Sequence, residues 1–268
     1  MEDDVMRRIV RWAGGREDVR AVILTSTRAR EGASVDAWSD YDVILYATDP
    51  APLLGDGGWA AELGAVLVQM PPRGQEHAWG APTRLVLYED GTRIDFTVLD
   101  AGVPATLSEE LDAGYRVLLD KDGVTAALPA PSGAAYVLRQ PTQEEFGAVV
   151  EEFWWETTYM AKNLARGEPL PAKYSLDCVL KLDLLRRMLE WRVAIDHGWT
   201  YRPGVLGRGL KAHLSPERWN ELEQGDLWRT IALFRAVAVE VARELGLEYP
   251  HRLDARMTEF LGAPDHFS

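Results

Sequence analysis

Cysteine is almost missing from this sequence: Cys178 is the only one in 268 residues. That excludes an internal disulfide and any cysteine-rich zinc site, and leaves Cys178 the expected role of a small buried hydrophobe. No apolar run approaches the roughly 18 residues of a membrane span. The opening MEDDVMRRIVRW carries acids where a signal peptide is basic, so a cytoplasmic protein with no membrane partner is expected. The five histidines, at 77, 197, 213, 251 and 266, show no His-Glu-x-x-His spacing and receive no catalytic task. Gly-x-x-x-x-Gly-Lys-Ser/Thr is absent, which removes P-loop chemistry, and the spaced acids and terminal glutamate of an EF-hand are absent too. Positive charge is scarce, with 29 Lys and Arg against 42 Asp and Glu for a formal charge of −13. A phosphate backbone is bound through Lys and Arg, so nucleic acid is not the expected partner; a cationic ligand is favoured electrostatically.

What is present divides in two. The first half changes character about every ten residues. Val5, Ile9 and Trp12 give a helical stripe ending at Gly14-Gly15, and VRAVILTSTR (Val19 to Arg28) reads as a strand. Further strands are expected at YDVILYAT, AVLVQMP, RLVLY, RIDFTVL and YRVLLD, with Asp90-Gly91 as a hairpin turn, a glycine-broken helix at PAPLLGDGGWAAELG, and another helix at VPATLSEELDAG. From about Pro131 the period is helical. Thr142 and Glu145 form a capping box, Pro171 suits the first turn of a second helix running to Gly198, Ser215-Pro216 opens another, and Gly246 closes one. Glycine-rich GVLGRGLK (Gly204 to Lys211) lacks a complete Gly-x-Gly-x-x-Gly and reads as a connection between helices. The expected class is α+β: residues 1–132 forming a mixed, twisted sheet with flanking helices, and residues 133–268 an all-helical bundle.

The chemistry is suggested by WSDYDVILY (Trp38 to Tyr46). Asp40 and Asp42 are two positions apart at the mouth of an apolar strand, so they project to one side and repel unless something positive lies between them. Asp95, in RIDFTVL, is a third acid on a strand. Read singly, Asp40 caps a loop, Asp42 ends a strand and Asp95 pairs with Arg93 or Arg84. Read together, three converging carboxylates suit Mg²⁺, which takes a few carboxylates and completes its shell with water and substrate phosphates. Upstream, Ser26, Thr27 and Arg28 end the first strand as a turn able to hold phosphate oxygens. A small turn, then Asp-x-Asp, then a distant strand aspartate is the order found in polymerase-beta-like nucleotidyltransferases.

VRAVILTSTRAR, SDYDVILYATD and RIDFTVLD, followed by EFWWETTYMAKNLARGEPLPAKYSLDCVLK, GVLGRGLKAHL and VARELGLEYP, resemble the aminoglycoside 6-adenylyltransferases over nearly the whole chain. The resemblance implies a nucleotidyltransferase domain, a helical aminoglycoside-binding domain, and an active site between them moving AMP from ATP to a streptomycin hydroxyl. Asp40, Asp42 and Asp95 would hold two Mg²⁺ ions, Ser26, Thr27, Arg28 and Lys173 would contact the nucleotide, and Asp177 is the candidate general base. Asp177 stands one helical turn from Lys173 and Lys181, a spacing that an ordinary salt-bridged helix residue would share. Glu151, Glu152 and Trp155, with Asp177, are the candidate contacts to the cationic substrate, while Trp154 is assigned to the core. The family turn is commonly Gly-Ser-Arg; here Ser26 adds a Cβ where glycine lets backbone approach phosphate most closely. Two alternatives stay open: the same machinery with another hydroxyl acceptor, and a catalytically silent relative that sequesters a cation. A monomer is expected.

Overall fold

The computed structural model describes residues 3–30, 35–75, 82–103, 105–134 and 137–262. His77 and His266 lie outside them. The chain forms two compact units, Met1–Tyr136 and Val137–Ser268.

The first unit is built on a six-stranded sheet. Helix α1 (Asp4–Gly14) is capped by Asp3, whose carboxylate accepts from the Val5 amide, and it buries Met6, Ile9 and Ala13. Strand β1 (Val19–Thr25) leads into a single helical turn, α2 (Ser26–Ala29), so the strand stops three residues short of the sequence expectation. Next come β2 (Tyr41–Ala47), α3 (Pro50–Gly55), a 3₁₀ turn at Gly58–Glu62, β3 (Val66–Met70), β4 (Thr83–Tyr88) and β5 (Arg93–Asp100). The expected helix at VPATLSEELDAG shrinks to one turn, α4 (Glu109–Asp112), before β6 (Tyr115–Asp120). The order across the sheet is β3-β4-β5-β2-β1-β6. Among the described strands β2 and β5 form the parallel pair, and the other neighbours run antiparallel.

Side-chain alternation gives this sheet two different faces. Val22, Leu24, Val43, Leu45 and Phe96 pack with Ile9 of α1 and with Trp59, which stacks on Trp12 at 5.0 Å and meets Phe96 edge-on at 4.9 Å. The opposite face carries a smaller cluster of Ala21, Ile23, Ile44 and Tyr46 against Ala105 and Leu111. Asp42 alternates with Tyr41 and Val43 and therefore belongs to this second, thinly covered face. Arg84 points to the other side, fully buried, and donates to the carbonyls of Pro71 at 2.9 Å and Gln75 at 3.1 Å and also to that of Leu54. It braces backbone instead of pairing with Asp95.

The second unit is helical. Helix α5 (Gln143–Ala165) begins with the capping box, the Glu145 amide donating to the Thr142 hydroxyl and the Thr142 amide to the Glu145 carboxylate. Helix α6 (Pro169–Tyr174) runs into a π-helical stretch, Ser175–Leu185, and then α7 (Arg186–Asp196). Two 3₁₀ turns, Val205–Gly207 and Leu210–His213, occupy the glycine-rich connection; α8 (Pro216–Gln224), α9 (Leu227–Leu245) and α10 (His251–Gly262) follow. Phe153 of α5 stacks on Phe234 of α9 at 3.6 Å, within a core that includes Trp154, Leu184, Met188 and Val237. Gly246 ends α9 with φ 67°, a left-handed conformation that glycine adopts without a Cβ penalty. Cys178, expected to be buried, is only partly so. No helix among the described residues is long and apolar enough to cross a membrane.

Candidate active site

The parallel pair brings two acids together. Asp42 of β2 and Asp95 of β5 are direct partners in the register, so their side chains leave the same face of adjacent strands. Asp40, just before β2, joins them: one carboxylate oxygen from each of the three lies within 4.8 Å of the others. Such hard oxygen ligands, partly buried and gathered on one face, could hold a metal ion. Burial pushes the Asp42 carboxyl up to about 6, the charges of Asp40, Asp95 and Glu110 push the same way, and the Ser26 side chain opposes them. The positive group demanded by this crowding is Arg93, which donates to Asp95 at 2.9 and 3.2 Å and reaches 3.9 Å from Asp40. Its side chain is about half exposed (53%), so it can yield to a metal without opening the core.

Two nearby groups position this cluster. Arg28 does not point into open space: its guanidinium donates to the Ser39 carbonyl at 2.8 Å and the Asp40 carbonyl at 3.0 Å, approaches Asp3, and lies 3.9 Å over the Tyr41 ring. It therefore fastens the backbone that carries Asp40. Thr25, the register partner of Asp42, donates through its hydroxyl to Glu110 at 2.6 Å. Glu110 is the acid that sequence reasoning missed, since it comes from a helical turn with no spacing relation to Asp-x-Asp. Ser26 begins α2 with φ 61°, the left-handed conformation in which a Cβ is unfavourable. The turn thus keeps the backbone shape that glycine would supply, with Thr27 in the same turn.

The remaining candidates lie in the helical unit. Asp177 is held from both sides, by Lys173 at 2.5 Å and Lys181 at 3.4 Å. The hydrogen bond from Lys173, with Lys181 adding to it against the cost of burial, keeps its carboxyl below the usual range. On α5, Trp154 is buried in the core, whereas Trp155 is exposed and edge-on to Tyr159, with Glu151 and Glu152 also exposed.

The streptomycin adenylyltransferase family model matches residues 1–263. The chain belongs to that family. Family membership places it among the nucleotidyltransferases, and the Asp40, Asp42 and Asp95 cluster on the central β2–β5 pair could hold a metal ion. It is 28% identical over 264 residues to the aminoglycoside 6-adenylyltransferase of Bacillus subtilis (strain 168), spanning 93% of each chain. It is 29% identical over 266 residues to that of Campylobacter jejuni, spanning 93% of this chain and 91% of the relative. A crystal structure of an aminoglycoside 6-adenyltransferase from Bacillus subtilis aligns over 97% of this chain and 98% of its own, at 24% identity and a TM-score of 0.45.

Proposed function

We propose that this protein transfers AMP from ATP to a hydroxyl of streptomycin, with release of pyrophosphate, and so confers resistance to the antibiotic. The observation that carries the reaction class is the convergence of Asp40, Asp42 and Asp95 on one face of the β2–β5 pair. Family membership and the aminoglycoside 6-adenylyltransferases it resembles support the acceptor class.

In this scheme the acceptor oxygen attacks the α-phosphorus, a new P–O bond forms, and the bond to the β-phosphate oxygen breaks to leave pyrophosphate. Held by Asp40, Asp42 and Asp95, two Mg²⁺ ions would neutralise triphosphate charge and lower the pKa of the hydroxyl. Arg93 would have to release Asp95 for that carboxylate to hold a metal, and Arg28 keeps the Asp40 backbone in place. Ser26 and Thr27 offer hydroxyls and turn backbone to phosphate oxygens. Asp177 accepts the acceptor's proton; its two lysine partners keep it ionised and ready, at some cost in basicity. Glu151, Glu152 and the exposed Trp155 offer charge pairing and cation–π contact to guanidinium groups. Because Ser26 preserves a glycine-like backbone, the turn supports the enzyme reading over a silent cation binder.

The test is pyrophosphate release from ATP and Mg²⁺ by the purified protein, with and without streptomycin, followed by the mass of the antibiotic. Streptomycin-dependent release with a gain of one AMP is expected. Release triggered only by other aminoglycosides would move the acceptor, and aminoglycoside binding without any release would replace the enzyme by a binder.

A further inference from the structure

Among the described residues three that are not glycine hold a left-handed backbone: Ser26, Trp199 and Leu206. Ser26 belongs to the candidate active site. The other two lie in one stretch of the helical unit, the chain between His197 and His213. Trp199, at φ 63°, follows Gly198 at φ 56°, so two successive left-handed residues turn the chain just beyond α7. Leu206, at φ 54°, stands inside the first 3₁₀ turn of the glycine-rich connection. Such conformations are costly for branched or bulky residues, persist only where the surroundings impose them, and cluster at ligand clamps and switch segments.

The two ends of this strained stretch meet. His197 Nε2 and His213 Nδ1 are 3.1 Å apart although 16 positions separate them in the chain, and their rings stand at 89° with centroids 4.9 Å apart. Buried Tyr201 sets its ring 5.0 Å from that of His213 and 6.2 Å from that of His197. The backbone at His197 is fixed as well: its amide donates to the Val193 carbonyl, and its carbonyl accepts from the Thr200 amide at 3.2 Å and the Thr200 hydroxyl at 2.7 Å. His213 closes the second 3₁₀ turn, and both histidines are exposed to solvent. Arg192 of α7 is paired with Asp196 and Glu240, and Lys211, in the same turn as His213, lies 5.1 Å over the Trp219 ring, so both cations are engaged away from the pair. His197 also follows the last turn of α7, where the helix dipole favours positive charge.

We propose that His197 and His213 bind a divalent transition metal of the Zn²⁺ type, which staples the two ends of residues 198–212. Metal–nitrogen bonds of about 2.0–2.1 Å at angles of about 90–110° hold two ligand nitrogens about 2.8–3.4 Å apart, the separation this pair already has. Imidazole suits Zn²⁺, Ni²⁺ and Cu²⁺, whereas Mg²⁺ takes oxygen, so this site and the carboxylate cluster select different metals. On binding, both facing nitrogens present lone pairs, and the proton now between them moves to the far nitrogen of its own ring. Among the described residues no third His, Cys, Asp or Glu brings a ligand atom within reach, so water completes the shell and the expected affinity is micromolar. Closing the loop removes chain freedom and holds the Trp199 and Leu206 turns in place. The site is independent of the transfer reading.

Calorimetric titration of the full chain with ZnCl₂, in excess MgCl₂ to occupy the carboxylate cluster, tests this. His197→Gln and His213→Gln should each weaken Zn²⁺ binding at least about tenfold, and His251→Gln, at an exposed histidine on α10, should leave it unchanged. Zn²⁺ should also slow tryptic cleavage at Arg202, Arg208 and Lys211 in the wild type and in neither variant of the pair. No Zn²⁺ binding by the wild type, wild-type affinity in either variant of the pair, or an equal loss in His251→Gln overturns the site. Binding that leaves cleavage unchanged overturns the staple. Should a variant melt early without metal, the Cu²⁺ electron paramagnetic resonance spectrum of the wild-type chain decides: two coordinating imidazole nitrogens support the pair, and one or none overturns it.

Discussion

In the sheet unit three carboxylates crowd one face, with Arg93 as the cation in ion-pair reach of two of them. In the helical unit two acids are matched to donors: Asp254 accepts from Arg235 at 2.6 to 3.0 Å, from the Tyr249 hydroxyl at 2.7 Å and from Thr258 at 3.2 Å, and Glu240 takes both Arg192 and Arg218. The first arrangement leaves negative charge uncompensated where a cation can enter. The second satisfies every partner and holds helices together. Removing Asp42 and removing Asp254 should therefore have opposite consequences.

Asp42→Asn makes the contrast most sharply. Turnover, measured as pyrophosphate release, should fall about 100-fold or more, while the melting temperature at pH 7 holds or rises because a crowded charge is gone. Asp254→Ala should do the reverse, costing about 2–3 kcal/mol in urea unfolding, since it strands Arg235 and the Tyr249 hydroxyl, with the metal site untouched. Ser26→Gly should stabilise the sheet unit by roughly 0.5–1 kcal/mol through relief of the left-handed backbone. An unchanged unfolding midpoint there would mean that the turn carries no strain.

The pH dependences should also have opposite signs. Asp42 titrates at about 6 in the native metal-free protein against an ordinary 3.8, so the folded state holds a proton that the unfolded chain releases between those values. Its contribution makes stability fall as pH rises through that window, and Asp42→Asn should flatten the slope. Burial works to raise the Asp254 carboxyl, but Arg235, Tyr249 and Thr258 together hold it below 3.8. Its stabilisation is present above that ordinary value and is lost as pH falls beneath it. Melting temperatures of wild type and the two variants from pH 3 to 7 would separate these contributions.

Much of this was legible from residue patterns. The capping box, the Ser215 and Gly246 boundaries, the Asp90-Gly91 hairpin and the core role of Trp154 follow from local stereochemistry and periodicity, which neighbouring elements did not override. The three aspartates were nameable because acids on apolar strands are costly. Their proximity was not, because register between β2 and β5 is a property of the sheet. Glu110 and Arg93 entered through tertiary contacts that spacing cannot report. Arg28 was read as a phosphate ligand, and its inward commitment to the Ser39 and Asp40 carbonyls depends on a loop conformation. The π-helical winding was hidden as well, since a segment with leucines at three-, four- and five-residue intervals satisfies either helix.

The pairing of β2 with β5 has a consequence during synthesis. The strands bearing Asp42 and Asp95 are separated in the chain by α3, β3 and the β4 hairpin arm, so a ribosome releases Asp40 and Asp42 well before their third companion. A nascent or truncated chain ending before Arg93 would display the Asp-x-Asp signature with no site to go with it. Divalent-ion binding could thus serve as a readout of when the central sheet closes.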